Sequence, residues 1–294
     1  MNGRVGSENA RYITLNYRGR ISLCGKVGLD MGEVIVVTSG KGGVGKTTTS
    51  ANIGTGLAAA GHSVVLVDTD IGLRNLDVLL GLENRIVYDL VDVTSGACRV
   101  KQALIKDKRF SSLFLLPASQ TKEKTAVTPD QMKVLAAELR VTFDYVIIDC
   151  PAGIEQGFQN AIAGADWAIV VCTPEVSSIR DADRIISLLE AAELKNTKLI
   201  INRLRPAMIK SGDMLAISDI LDILDVELIG AIPENESIII STNRGLPAVM
   251  DKNSRAGEAY RLIIRRIQGE EVPPMNLDEP HGMMHRLKRL VGLR

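Results

Sequence analysis

The chain has 294 residues, and its 35 Lys and Arg balance its 35 Asp and Glu, so the formal net charge is zero. Because nucleic-acid binding usually rests on excess positive charge, this balance argues against a globally basic nucleic-acid binder. Hydrophobic residues make up 46% of the chain and aromatic residues only 3%, which is typical of an aliphatic core around buried parallel strands. No stretch reaches the roughly 18 apolar residues that a membrane span requires, and no apolar core of a signal peptide is visible.

Residues 1–31 are polar and mildly basic, and we expect them to form an appended tail. A disordered tail, an extension upstream of a natural start at Met31 and the remnant of an organelle-targeting peptide all fit this pattern. The four cysteines form no C-x-x-C pair and are expected to be free thiols.

Residues 32–268 alternate apolar β-branched runs with helical patterns. The alternation predicts an α/β domain with a doubly wound, mostly parallel sheet and helices on both faces. Strands are expected at 33–38, 63–68, 113–116, 144–149, 167–172, 197–202 and 226–231, and helices at 46–60, 129–140, 177–193, 213–224 and 254–267.

Residues 40–47 read Gly-Lys-Gly-Gly-Val-Gly-Lys-Thr and fit the phosphate-binding pattern G-x-x-x-x-G-K-[ST]. The run follows a predicted strand and opens a predicted helix, whose N-terminus adds partial positive charge at the phosphates. Lys46 is expected to contact the β- and γ-phosphates, and the Thr47 hydroxyl to bind Mg²⁺. The residues expected at the nucleotide are Gly40, Lys41, Gly42, Gly43, Val44, Gly45, Lys46, Thr47 and Thr48.

Acidic side chains end two of the other predicted strands. Asp68 and Asp70 follow the run 64–67, and Asp149 follows 146–148. Because burying an unpaired carboxylate is costly, an acid at a strand end usually faces a cation or water. We therefore expect Asp149 to hold Mg²⁺, although each aspartate alone could also be a helix cap or a solvated turn residue.

The second loop lysine, Lys41, gives the form K-G-G-V-G-K-T, which resembles the deviant Walker A motif of the MinD/ParA family of ATPases. The resemblance implies that Lys41 acts across an ATP-dependent homodimer, on the nucleotide held by the other subunit. It also implies that Asp70 orients the attacking water, that Asp68 supports the metal shell, and that Gly153 senses the γ-phosphate. Together with Lys46, Lys41 and Asp70 are thus the expected catalytic residues. The residues implied to flank the adenine are Asn202, Arg203, Pro233 and Glu234.

The resemblance is strongest to the division-site branch of the family, in residues 70–77, 80–85 and 174–183 and in the C-terminal segment. It implies an ATPase that is slow without an activator and that recruits a MinC-like division inhibitor to the membrane. A MinE-like or other topological factor is the second implied partner, and no specific nucleic acid is expected. The implied partner surface is Glu175, Arg180, Asp181 and Asp183, whose charges a helix N-terminus would also explain.

The C-terminus predicts a membrane contact. Residues 269–280 are acidic, contain three prolines and are expected to form a linker. Residues 281–294 form a predicted amphipathic helix of the kind that lies in an anionic membrane surface; a helix docked on the protein's own core and a frayed tail are the alternatives. One helical arc carries Met283, Met284, Leu287, Leu290 and Val291, and the opposite side carries His285, Arg286, Lys288 and Arg289.

The expected location is therefore the cytoplasm and the cytoplasmic face of the bacterial inner membrane, or the stroma and inner envelope of a plastid. Three other members of the wider family are alternatives: a ParA-type DNA-segregation ATPase, a flagellar-number ATPase and a nitrogenase-type iron protein. The last needs two cluster cysteines in each subunit, and Cys150 has no suitably placed partner in the sequence.

Overall fold

Eight strands form a single sheet in the computed structural model, which describes residues 31–194 and 196–277. The strands are β1 Glu33–Thr38, β2 Val64–Asp68, β3 Ile105–Lys106, β4 Leu113–Leu116, β5 Tyr145–Asp149, β6 Trp167–Cys172, β7 Thr197–Leu204 and β8 Glu227–Pro233. Their order is β3-β4-β2-β5-β1-β6-β7-β8, and all neighbours pair in parallel except β3 with β4. The predicted doubly wound, mostly parallel sheet is confirmed.

Helices connect the strands and cover both faces of the sheet. The α-helices in the described part are α1 Lys46–Ala59, α2 Leu76–Leu80, α3 Leu90–Thr94, α4 Val100–Ala103, α5 Pro129–Thr142, α6 Gln156–Ile162, α7 Val176–Ala191, α8 Pro206–Ser211, α9 Ile217–Leu224, α10 Ser237–Asn243 and α11 Arg255–Ile267. None of the helices in this part of the chain is long and apolar enough to cross a membrane.

The sheet separates two aliphatic core layers. In β1, Val34 and Val36 lie in one layer and Ile35 and Val37 in the other, and all four are fully buried. Helices α3 to α7 and α9 complete the first layer, whereas α1, α2 and α11 complete the second. Because strands covered on both faces bury every side chain, they read as continuous apolar runs, which is why the sequence revealed them.

The position of β1 places the phosphate-binding loop. β1 lies between β5 and β6, while the chain leaves it for β2 on one side and later enters β6 on the other. Ligands of such sheets bind outside the carboxyl ends of the strands at this switch in direction. The register pairs Asp149 with both Val37 and Asp68, so the strand-end acids lie beside the loop.

The helix predicted at 213–224 differs from the structure. That stretch contains only α9, and α8 is a separate helix that ends at Gly212, whose φ is 78°. A left-handed residue cannot continue a helix, and glycine adopts it readily. The short helices α2, α3, α4, α6 and α10 and the two-residue β3 were also not predicted, because so few residues show no clear period.

Residues 270–277, here called the strap, are held beside the outer strand of the sheet by Arg266 of α11. Arg266 donates hydrogen bonds to the carbonyls of Val272 (2.9 Å) and Pro273 (2.8 Å) and to the β8 carbonyl of Ile229 (2.9 Å). Met275 packs against the layer that contains α11, and Leu277 against the opposite layer. The strap therefore crosses the β8 edge. The first part of the predicted linker lies against the domain here, whereas the predicted tail and amphipathic helix fall outside the described residues.

Candidate nucleotide site

The loop 40–47 lies between the end of β1 and the start of α1, and two of its glycines are conformationally required. Gly43 and Gly45 have φ values of 79° and 103°, a region that residues with a side chain rarely adopt. A Cβ on Gly45 would also overlap the Asn202 amide, and one on Gly40 would overlap the backbone of Asp181. Strand β7 and helix α7 thus press against the loop.

Lys46 and Asp149 form the buried end of the site. The Lys46 side chain is only 8% exposed and Asp149 only 1% exposed. Burial raises the pKa of the Asp149 carboxyl to about 6. Three groups act in the opposite direction and lower it: hydrogen bonds from Ser50 and Thr47, and the positive charge of Lys46. These contacts place Thr47 and Lys46, both expected at the nucleotide, against the predicted metal ligand Asp149.

Asp68 shapes the loop that carries Asp70. Its two carboxylate oxygens accept backbone N–H groups from Asp70 (2.9 Å) and Leu76 (3.2 Å). Burial raises the pKa of Asp68 to about 8, and the charge of Asp149 acts in the same direction. A side-chain bond from Thr69 to the Asp149 carbonyl (2.6 Å) ties the same loop to β5. Asp68 therefore positions Asp70; its contribution to a metal shell stays a prediction.

The loop after Asp70 is closed by a second buried acid. Arg74 Nε lies 2.9 Å from the Asp77 carboxylate, which is 1% exposed. Burial raises the pKa of Asp77, and the charge of Arg74 partly offsets this effect. Arg74 itself has a φ of 46°, which a residue with a Cβ adopts only at a cost in free energy. The contact between the two side chains therefore holds the loop in a defined shape.

The two strand-end carboxylates fit a magnesium ion. Asp68 and Asp149 are buried side by side and repel each other, so a divalent cation would offset both penalties. No group of three or more His, Cys, Asp and Glu side chains in the described part of the chain could hold a metal. Magnesium commonly takes one or two carboxylates and completes its shell with water and phosphate oxygens, and this donor set meets that requirement.

Two of the four residues expected at the adenine contact the phosphate-binding loop. Asn202 Nδ2 donates to the Val44 carbonyl (2.8 Å), and the guanidinium of Arg203, whose φ is 60°, donates to the Gly43 carbonyl (2.7 Å). Both side chains thus brace the phosphate-binding loop in this structure, and their adenine contact stays a prediction. Glu234 follows the buried Pro233 and forms an ion pair with Arg205, which lowers the pKa of the Glu234 carboxyl.

A family model described as the CobQ/CobB/MinD/ParA nucleotide binding domain matches residues 35–248. The chain belongs to the MinD/ParA family. It is 58% identical over 267 residues to the septum site-determining protein MinD of Bacillus subtilis strain 168, a match that covers 90% of this chain and 100% of that protein. A second relative, the septum site-determining protein MinD of Synechocystis, is 53% identical over 261 residues, covering 88% and 98% of the two chains.

Solved structures place the chain in the MinD branch of the family. The MinC:MinD cell division protein complex of Aquifex aeolicus matches with a TM-score of 0.78 and 51% identity, over 83% of this chain and 99% of that chain. The septum site-determining protein MinD of Pyrococcus horikoshii, solved in complex with Mg-ADP, matches with a TM-score of 0.73 and 30% identity, over 81% and 96%.

The second lysine of the MinD/ParA loop points away from its own phosphate-binding loop. Lys41 Nζ lies 3.3 Å from Ser177 Oγ and 3.7 Å from the Glu175 carboxylate, at the start of α7. The side chains of Lys41 and Glu175 are 47% and 59% exposed, so this pair is solvated and weak. The lysine is therefore accessible at the surface where the resemblance expects a second subunit.

The residues implied as a partner surface share the first turns of α7. Glu175 precedes the helix, Arg180 and Asp183 are exposed, and Asp181 is half-buried against Gly40. This arrangement brings the surface within contact of the phosphate-binding loop.

Gly153, whose backbone N–H is the expected γ-phosphate sensor, has a φ of 93°, and there is open space where a side chain would lie.

Sequence reasoning missed three residues of the site in this MinD/ParA chain. Ser50 binds the Asp149 carboxylate, Thr69 binds the Asp149 carbonyl, and Ser177 contacts Lys41. Ser50 carried a usable signal, because it lies one helical turn after Lys46 on the Ala- and Gly-rich, buried α1. The other two contacts join segments that are far apart in the sequence, and no local pattern reveals them.

Proposed function

We propose that the chain is a Mg²⁺-dependent ATPase whose ATP-bound dimer attaches to the membrane, recruits a division inhibitor and thereby places the division septum. The observation that carries the proposal is one site that joins a phosphate-binding loop with a second lysine, Lys41, to the strand-end acids Asp68 and Asp149. Division-site placement is supported by the names of the MinD relatives, and Mg-nucleotide binding by the Mg-ADP complex of the relative from P. horikoshii.

The proposed chemistry is hydrolysis of ATP to ADP and phosphate. Lys46 and the loop N–H groups neutralise the phosphates, and Thr47 and Asp149 hold Mg²⁺, which when bound withdraws charge from the phosphate oxygens. Asp70, fixed by its backbone bond to Asp68, orients the water that attacks the γ-phosphorus. We expect turnover to be slow in the isolated chain, because Lys41 lies against α7 and away from its own loop.

Dimerisation with ATP completes the proposed site. Each Lys41 leaves Glu175 and Ser177 and reaches the nucleotide of the other subunit, so two nucleotides join two chains. Hydrolysis removes this link. The dimer is therefore the form that depends on ATP, and ADP returns the protein to single chains.

Membrane attachment follows from the dimer by avidity. The predicted helix 281–294 has five apolar side chains, whose burial at roughly 1–2 kcal/mol each does not exceed the cost of ordering the segment, about 1 kcal/mol or more per residue, so a single helix binds marginally at best. Two such helices on one dimer make the second contact intramolecular, which raises avidity by about 10² to 10⁴. The chain would thus divide between the cytoplasm and the cytoplasmic face of the membrane.

The proposed partners bind near the start of α7. A MinC-like inhibitor is supported by the solved complex of the 51% identical relative with MinC, and a MinE-like or other topological factor would stimulate hydrolysis. Arg180 and Asp183 carry exposed charges on the helix that begins beside the Lys41–Glu175 contact. If Lys41 leaves that contact when ATP binds, this surface changes and partners could distinguish the two states.

Sedimentation with anionic liposomes tests the proposal. The full chain should sediment with ATP and not with ADP, whereas the chain without 281–294 should bind ATP and stay in solution. Leu287→Glu should act like the deletion because it places a charge in the apolar arc, and His285→Gln on the polar side serves as the matched control. Equal sedimentation of the deleted and full chains would refute membrane attachment, and salt-sensitive binding to DNA instead would favour a ParA-type ATPase.

A further inference from the structure

Ser50 is a buried hydroxyl of α1 that contacts the predicted metal ligand. It is fully buried, and its Oγ lies 2.8 Å from Asp149 Oδ1 and 3.1 Å from the Lys46 carbonyl. A serine has one proton to donate. The carboxylate is the charged acceptor at the shorter distance, and charge-assisted hydrogen bonds are the stronger ones, so the proton goes to Asp149.

The other buried hydroxyls of α1 show that this contact is not a general property of the helix. Thr49 Oγ1 lies 3.2 Å from the Tyr260 hydroxyl, on the side of α11. Thr55 Oγ1 is buried without a hydrogen-bond partner among the described residues. The helix therefore tolerates an unpaired hydroxyl elsewhere, whereas at Ser50 the hydroxyl faces a carboxylate of the nucleotide site.

We propose that Ser50 is a positioning residue for the Mg²⁺ site. Its hydrogen bond fixes one carboxylate oxygen of Asp149, so that the other oxygen is held ready for the ion and its water. The proposal rests on the function proposed above. It follows from the geometry because Asp149 is almost completely buried, and its near contacts decide which way the carboxylate turns. Groups that orient a metal ligand typically change metal affinity or activity by about 10- to 100-fold when they are removed.

The test is a Mg²⁺ titration of the full chain with a fluorescent ADP analogue. Ser50→Ala should bind the analogue without metal as well as the unchanged protein does, while the Mg²⁺ concentration at half-maximal response should rise about tenfold. Thr55→Val is the matched control, because it removes an unpaired buried hydroxyl from the same helix at nearly constant volume, and its titration should not move. Circular dichroism confirms that each variant is folded.

Asp149→Asn separates this inference from the proposed function. If Asp149→Asn loses the Mg²⁺ response and Ser50→Ala keeps the unchanged midpoint, the role of Ser50 is refuted and the metal site stands. If Asp149→Asn titrates normally, the proposed metal site itself is refuted. If Asp149→Asn keeps a weakened Mg²⁺ response, adding Ser50→Ala should not shift its midpoint further, because the group that Ser50 positions has already been changed; an added shift would overturn the proposal. An equal shift in Thr55→Val would reduce the effect to helix packing and overturn the proposal.

Discussion

Glu175→Gln should strengthen ATP-dependent dimerisation, because it removes the charge that holds Lys41 in the single chain. At 3.7 Å, two unit charges attract each other by about 1 kcal/mol in water, and exposed ion pairs contribute roughly 0.2 to 1 kcal/mol when measured. In the proposed dimer, both subunits release Lys41 from this contact. Because the variant lacks both ion pairs, its dimer should be about twofold to thirtyfold tighter than that of the unchanged protein.

The assay is analytical ultracentrifugation with ATP at several protein concentrations and two ionic strengths. The gain should shrink at high salt, because solvated charges are screened, and ATP affinity of the single chain should stay unchanged. Glu190→Gln, an exposed acid on the same helix and distant in sequence from the Lys41 contact, is the control. A weaker dimer in Glu175→Gln would refute the reasoning, because Glu175 would then support the dimer and would not restrain the lysine.

Three further predictions concern the acids and lysines of the site. Lys46→Ala should abolish nucleotide binding, whereas Lys41→Ala should bind ATP and fail to dimerise; equal loss of ATP affinity in calorimetry would contradict the cross-subunit role. Asp70→Ala should bind Mg-ATP and dimerise but hydrolyse at least about 100-fold more slowly in a phosphate-release assay, and normal turnover under activated conditions would remove Asp70 from the catalytic residues. The third prediction concerns pH, because burial and, second, the charge of Asp149 raise the pKa of Asp68 to about 8 in the folded state. A proton on Asp68 therefore stabilises the folded state; this stabilisation is fully present below the unfolded pKa near 3.8 and is lost as the pH rises towards 8. The metal-free protein should therefore lose stability as the pH rises from about 4 to 8, by on the order of 1 kcal/mol per pH unit, and urea melts of Asp68→Asn should show a smaller loss.

The sheet could be predicted because its strands are buried on both faces. Runs such as Val64 to Val67 and Val146 to Ile148 contain no polar residue. The phosphate-binding loop identified the run before it, 33–38, as the strand that leads into the site. The edge strand β3 was not predicted, because two residues are too few to show a hydrophobic periodicity and because its pairing with β4 depends on the tertiary fold.

The site was predictable in its residue types and less so in its contacts. The strand-end positions of Asp68 and Asp149 followed from local sequence, and the register brought them together. The two bonds that occupy Asp68 and the bond from Ser50 to Asp149 depend on side-chain directions between separate elements. Asn202 illustrates the limit, because its amide donates to the loop carbonyl of Val44, an atom that no sequence pattern identifies.

The strap shortens the connection between the domain and the predicted amphipathic segment. Since it is bound to the domain as far as Leu277, only residues 278–280 separate it from the predicted amphipathic segment. Three extended residues span at most about 11 Å, whereas the full stretch 269–280 would span about 43 Å. If the segment binds a bilayer as proposed, the end of the strap beside β8 would therefore stay close to the lipid headgroups. A connection of this length would keep the nucleotide-binding domain within a narrow range of heights above the membrane, where partners arriving from the cytoplasm would meet it.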